Sequence, residues 1–302
     1  MSDRLGWQLV VAGVATAWGA VGLFVKGVDL DAAGIVTWRV ALAAATVAAL
    51  AGVVGRVGLL HVPAGRRGIL AGASLLLAAH WWLFFETIKL STVTVGVLFA
   101  YLAPVFLAAL APWLLRERLT VRSVCALAAA LVGTLLVVGG AERPPVAAVA
   151  TGLLTGLSYA LLIVLGKVLR RDVSGLGVAF WQYAGVAVLL APVALAGGGL
   201  QPASGGQLAA LLVLGVGLTG VCGLLYVLAL GHVPAQAMGI LSYLEPVSAA
   251  VLAALVLDET FGLRTAVGGA LVLGAGLTVA LQPAGAVAPE PTPVRRRAVV
   301  GR

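Results

Sequence analysis

Ala100-Tyr101-Leu102-Ala103-Pro104 and Ser242-Tyr243-Leu244-Glu245-Pro246 are two versions of one five-residue pattern, each near the middle of a long apolar run. Thirteen positions beyond each proline stands a carboxylate, Glu117 and Glu259, and a constant offset of 142 positions superposes the two stretches without a gap. Proline inside a helix removes one backbone bond and pushes on the carbonyl four residues back. The carbonyls expected to lose their partner are those of Ala100 and Ser242. In a bilayer such a group must be satisfied by protein, by water or by a ligand. Pro104 and Pro246 are therefore expected as hinges of two kinked helices, with a substrate site between them.

The rest of the composition requires a membrane. Of 302 residues, 62% are hydrophobic and 10% charged, with a mean hydropathy of +1.12. One soluble core cannot hold that much apolar surface, so most of it must face lipid. The net charge of +8 comes from short basic clusters between apolar runs. That is the pattern of membrane topology, and it excludes a nucleic-acid groove. Cys125 and Cys222 both sit within apolar runs, where they read as packing residues. No cleavable leader is expected, because the first run has no small-residue cleavage site after it.

A span needs roughly 20 apolar residues. Ten are legible: 7–25, 34–54, 68–88, 92–115, 121–139, 146–166, 176–196, 207–230, 234–257 and 264–282. The expected organisation is a first five-helix repeat over 1–143, a second over 144–283, and a disordered basic tail over 284–302. With the N-terminus inside, fourteen basic residues fall on cytoplasmic segments and four on outer ones. This is a positive-inside distribution with both termini cytoplasmic, as for a multi-pass protein of a bacterial inner membrane.

The repeat reaches beyond the proline pattern. Trp18 and Lys26 match Tyr159 and Lys167 at an offset of 141, and Trp38-Arg39 matches Trp181-Gln182 at 143. Because five is odd, the second copy must enter the membrane upside down relative to the first. Inverted repeats place a site at their interface and give two conformations of similar energy, open to opposite sides.

These features resemble the drug/metabolite transporter superfamily, and specifically its EamA-type carriers. The resemblance rests on Tyr101-Leu102-Ala103-Pro104-Val105 with Arg116-Glu117-Arg118-Leu119-Thr120, and on Tyr243-Leu244-Glu245-Pro246-Val247 with Asp258-Glu259. It implies an all-α membrane protein with ten transmembrane helices in two inverted repeats around a central cavity. The cavity is implied to be walled by spans 1, 3, 4, 6, 8 and 9. It further implies export of amino acids, aromatic or other neutral ones, and related metabolites by alternating access. The same fold also suits drugs or purines. A passive channel or an intramembrane enzyme would belong to a different class. One departure is that Ala103 stands where the second copy has Glu245.

Glu245 is the only acid at the centre of a span. An ionisable group at that depth is a functional candidate, set against a structurally paired carboxyl. Ser242 shares its helix face. His80, Trp81 and Phe84 offer an aromatic wall, against which stand a core histidine and lipid-facing bulk. Only one of Trp81 and Trp82 is expected to face the cavity. Tyr101 and Tyr243 either line the site or brace the kinks. Trp18, Tyr159 and Tyr226 fall on weakly polar stripes suited to a pathway wall. Arg39 near one helix end, Glu86, Glu117 and Glu259 are candidates for gates or ordinary helix ends. Arg39 has Asp29, Asp31 and Glu86 within reach as partners. Stripes of small residues at 126, 130 and 134 and at 270, 274 and 278 favour close packing, within the monomer or in a weak homo-oligomer. No catalytic residue, metal ligand set, cofactor or phosphate loop is expected. The partners expected are a small-molecule substrate and the lipid bilayer.

Overall fold

Breaks in the helices, more than the helices themselves, set the shape of this protein. The computed structural model describes residues 2–25, 27–91, 93–117, 119–138, 144–197, 200–202, 204–256 and 262–281. Every regular element among them is helical. Span 1 is Ser2–Trp18 and Val21–Val25, span 2 Ala32–Val53, span 3 Ala64–Leu90, span 4 Val93–Ala100 and Ala103–Leu114, and span 5 Val121–Val138. Span 6 is Val146–Leu169 and span 7 Gly175–Gly197. Span 8 runs Gly205–Leu212, Val213–Val221 and Cys222–Ala229, span 9 Ala235–Ser242 and Leu244–Val256, and span 10 Leu263–Ala280. Seven of these are long and apolar enough to cross a bilayer unaided. Ala103–Leu114, Val121–Leu136 and Ala266–Thr278 are shorter apolar helices, and the first of them is half of a broken span.

The hinge positions differ from expectation. The chain breaks at Tyr101-Leu102 and at Tyr243, ahead of the prolines rather than at them. Pro104 is the second residue of a new helix and Pro246 the third. The first turn of a helix is where proline costs nothing, since its missing N–H has no intrahelical partner there anyway. The prolines thus start helices instead of bending them.

Two bonds display the inverted repeat. Trp38 in span 2 donates its indole N–H to the Leu200 carbonyl at 2.8 Å. Its counterpart Trp181 in span 7 donates to the Leu60 carbonyl, also at 2.8 Å. Each copy reaches into the other's loop. Capping repeats the symmetry: Asp31 accepts from the Gly34 N–H at 2.6 Å, and Ser174 from the Gly177 N–H at 2.9 Å.

Span 5 packs on span 10, where a Cβ at Gly133 would lie 2.6 Å from the Gly268 carbonyl. Ala126, Ala130 and Thr134 are buried in that seam, as expected. On span 10 the buried stripe is Gly268, Val272 and Ala275, whereas Ala270 and Gly274 face outward. Alanine and glycine are neutral enough to sit on either face, so spacing alone mistook which stripe packs.

The two ends of the bundle differ. One, the basic face, carries Arg66 in an ion pair with Asp172. It also carries Arg170, which donates to the Val173 carbonyl at 2.8 Å.

Candidate functional site

The broken spans meet at mid-bundle. Tyr101 and Tyr243, one from each break, stack with ring centroids 5.7 Å apart. The Tyr243 hydroxyl donates to the Tyr101 carbonyl at 2.6 Å, and Tyr243 is fully buried. Helix breaks free backbone carbonyls, and a phenol from the opposite repeat satisfies one of them. The Tyr101 hydroxyl turns toward the Glu245 carboxyl.

Around that pair lie most of the residues singled out from sequence. Trp18 donates to the Leu218 carbonyl at 2.6 Å and packs 5.2 Å from the Tyr226 ring. Tyr159 and Ser242 are the polar neighbours of the Tyr226 hydroxyl. That hydroxyl is buried yet has no hydrogen-bond partner at good geometry. Ser242 itself donates to the Met238 carbonyl at 2.9 Å.

His80 lies at the edge of this cluster. Its Nδ1 is 3.1 Å from the Thr155 carbonyl and 3.0 Å from Ser158 Oγ, and its ring packs 5.4 Å from that of Tyr159. A carbonyl only accepts, so Nδ1 carries the proton. The histidine ties span 3 to span 6 while its ring backs the tyrosine wall. Phe84 packs edge-on against Phe85, with ring centroids 5.6 Å apart.

Arg39 sits elsewhere than expected. It pairs with none of Asp29, Asp31 or Glu86: Asp29 takes the Gln207 amide at 2.6 Å, and Asp31 caps its own helix. Two turns inside span 2, it is too deep to reach them. Its Nε donates to Thr219 Oγ1 at 3.1 Å, its guanidinium lies 5.8 Å from the Trp81 ring centroid, and Glu245 is the acid that its charge meets. Thr219 in turn donates to the Leu214 carbonyl, five residues back, at 2.7 Å. That bond falls within Val213–Val221, a stretch of π-helix, a form common at functional sites.

Sequence reasoning missed three members of the site. Gly19, at the break in span 1, lies so close to span 9 that an added Cβ would fall 2.6 Å from the Ala249 nitrogen and 2.9 Å from the Glu245 carbonyl. Tyr183 presses its hydroxyl on Gly223 and shares the surroundings of Arg39. Thr219 stands three and seven residues before Cys222 and Tyr226 on the polar stripe of span 8, and that spacing gives no sign of its bond to Arg39. Position next to Trp18 was the one available signal for Gly19.

Glu117 closes the basic face. Both its oxygens accept from the Ala235 N–H, at 3.0 and 2.9 Å, so the first repeat caps the helix that opens span 9 of the second. Lys167 stands 3.4 Å from the same carboxylate and donates to the Val233 carbonyl at 2.7 Å. Glu117 is turned inward by Arg116, which takes the left-handed conformation (φ 59°) at the end of span 4. Beneath this latch, between Pro104, Ser123 and Gln236, there is room for only about 10 Å³. Glu259 lies outside the described residues.

The opposite face carries a groove of about 410 Å³ between spans 2, 3 and 7, bordered by Asp31, Trp81, Trp82, Glu86 and Lys89. Both tryptophans line this groove, which is distinct from the central cluster to which the expectation of a single cavity-facing tryptophan applies. Trp81 forms its floor above Arg39, while Trp82 is 59% exposed. Among the described residues no group of three side chains could hold a metal ion.

Comparisons with known proteins follow the same division. The EamA-like transporter family matches the chain twice, over residues 5–139 and 146–281. An uncharacterized transporter of Archaeoglobus fulgidus is 29% identical over 197 residues, 65% of this chain and 70% of that one. A protein of known crystal structure superposes with a TM-score of 0.80 over 92% of this chain and 96% of its own, at 19% identity, a likeness of fold. Two successive matches cover a chain whose two halves reach into each other's loops, and so this chain belongs to the EamA-like transporter family, multi-pass membrane transporters of small metabolites.

Proposed function

We propose that this protein exports amino acids, neutral and aromatic ones foremost, across a bacterial inner membrane by alternating access. One observation carries the reading. At mid-bundle, among the described residues, one carboxylate, Glu245, and one guanidinium, Arg39, lie within electrostatic reach of each other among tyrosine and tryptophan rings. A zwitterion offers an ammonium to the first and a carboxylate to the second, and the rings take its side chain. The Tyr226 hydroxyl, beside Tyr159 and Ser242, offers one more polar contact.

The positive-inside distribution places the basic face in the cytoplasm. On that assignment the described conformation is latched toward the cytoplasm by Glu117 and Lys167, and the groove of about 410 Å³ lies toward the outside. Transport then alternates this state with its mirror across the repeats. The working units are residues 1–143 and 144–283, which meet at the tyrosine pair.

The test is amino-acid flux in proteoliposomes containing wild type or Glu245→Gln, with and without a pH gradient. Saturable flux in wild type and its loss in the variant are the expected outcome. Equal flux in both under every condition removes Glu245 from the mechanism. Flux that never saturates points to a channel.

A further inference from the structure

We infer that the outer groove is a second binding site for the same class of ligand, a zwitterionic amino acid leaving the centre. It would be held by its ammonium at Glu86 and its carboxylate at Lys89, against the Trp82 indole. This rests on the amino-acid reading above and adds a site to it. At about 410 Å³ the groove falls within the ~300–1,000 Å³ of pockets for small molecules.

Its chemistry is set by one helix face. Trp82, Glu86 and Lys89 stand at i, i+4 and i+7 on span 3, and all three border the groove. Side chains three and four apart on a helix are neighbours. An acid and a base one turn apart therefore match a ligand whose opposite charges are separated by a single carbon. Among the described residues neither Glu86 nor Lys89 enters an ion pair. The pairs present, Arg66 with Asp172 and Lys167 with Glu117, belong to the basic face. Asp31 also borders the groove, but its carboxylate already caps Gly34. Glu86 is thus the acid left for a ligand.

Position ties the groove to the pathway. The Trp81 ring that floors it has Arg39 5.8 Å from its centroid, and Arg39 faces Glu245. One indole separates two places of the same composition: a carboxylate, a cation and an aromatic wall. A ligand crossing that partition exchanges like for like. The alternative occupant is a lipid acyl chain, and two opposite charges are a poor seat for one.

The experiment uses the full chain in nanodiscs of phosphatidylcholine, which has no primary ammonium, with radiolabelled L-phenylalanine as probe. Equilibrium binding is expected to approach two molecules per chain in wild type. It should fall to one in Glu86→Gln, in Lys89→Gln and in Trp82→Ala, and to one in Glu245→Gln. A wild-type value of one that Glu86→Gln and Trp82→Ala leave unchanged overturns the second site while sparing the central one. A value that drops from two to one when phosphatidylethanolamine replaces phosphatidylcholine assigns the groove to a lipid headgroup and also overturns it. Binding that Glu245→Gln leaves at two overturns the central reading instead.

Discussion

The Tyr243 hydroxyl donates to the backbone carbonyl of Tyr101 at 2.6 Å, across 142 residues of sequence. The two tyrosines are equivalent by repeat, yet their hydroxyls do different work: one ties backbone to backbone, the other meets Glu245. Symmetry of sequence has become division of labour. Tyr243→Phe leaves a buried carbonyl unpaired and is expected to cost about 1–2 kcal/mol. Tyr101→Phe keeps that bond, because its acceptor is backbone. Thermal unfolding in one detergent should show a lower Tm for Tyr243→Phe, whereas Tyr101→Phe should change substrate binding more than Tm.

The latch on the basic face predicts a shift in population. Lys167 and Glu117 are 15% and 11% exposed, so part of their attraction is screened. Lys167→Met is expected to weaken the closed state by about 1–2 kcal/mol, roughly tenfold in the open fraction. A cysteine placed at Gln236 should then react with a membrane-impermeant maleimide about tenfold faster from the basic face. An unchanged rate would show that the pair does not hold that mouth shut.

Gly19 and Gly13 separate packing from helix propensity within one span. An alanine methyl at Gly19 meets the backbone of span 9, which cannot yield as a side-chain end would. Overpacking of this kind costs about 1–3 kcal/mol. Gly13 has nothing within 4 Å, and alanine there should be neutral or stabilising by about 0.5–1 kcal/mol. Unfolding midpoints that move together in Gly19→Ala and Gly13→Ala would contradict the close crossing.

Arg116 occupies a backbone conformation that favours glycine. Arg116→Gly is expected to raise stability by up to about 1 kcal/mol and to leave Glu117 in place. Urea titration of the two proteins measures the first, and maleimide access from the basic face the second.

Trp38 and Trp181 make equivalent bonds in opposite repeats. Phenylalanine at either position should cost a similar ~1 kcal/mol, since each loses one indole hydrogen bond and keeps most of its packing. A large inequality between the two variants would mean that the repeats bear load unequally.

Much of the fold was legible because lipid demands long apolar runs, and because the offset between copies scarcely changes. Trp18, Tyr101, Tyr159, Tyr226, Ser242, Tyr243 and Glu245 were found as polar or aromatic exceptions in apolar helices, and the structure gathers them at mid-bundle. What sequence misplaced depends on depth and direction. Arg39 looked like a helix end because hydropathy does not measure how far two turns carry a side chain. Proline in an apolar run predicts a bend at its own position, whereas here it marks the start of the next helix. Gly19 carries no chemistry of its own and is visible only through what a methyl group would strike.

Span 8 has a consequence of another kind. A π-wound stretch stores a surplus residue, and returning Val213–Val221 to ordinary winding would act as a screw. Everything beyond it would turn by about 100°, the angle of one residue in an α-helix. Tyr226 would swing out of register with Ser242, and the pins that resist this are the Thr219 hydroxyl on Leu214 and the Trp18 indole on Leu218. Both pins sit where Arg39 and the broken first span arrive, so such a turn would have to break the Arg39 bond to Thr219 or carry it along.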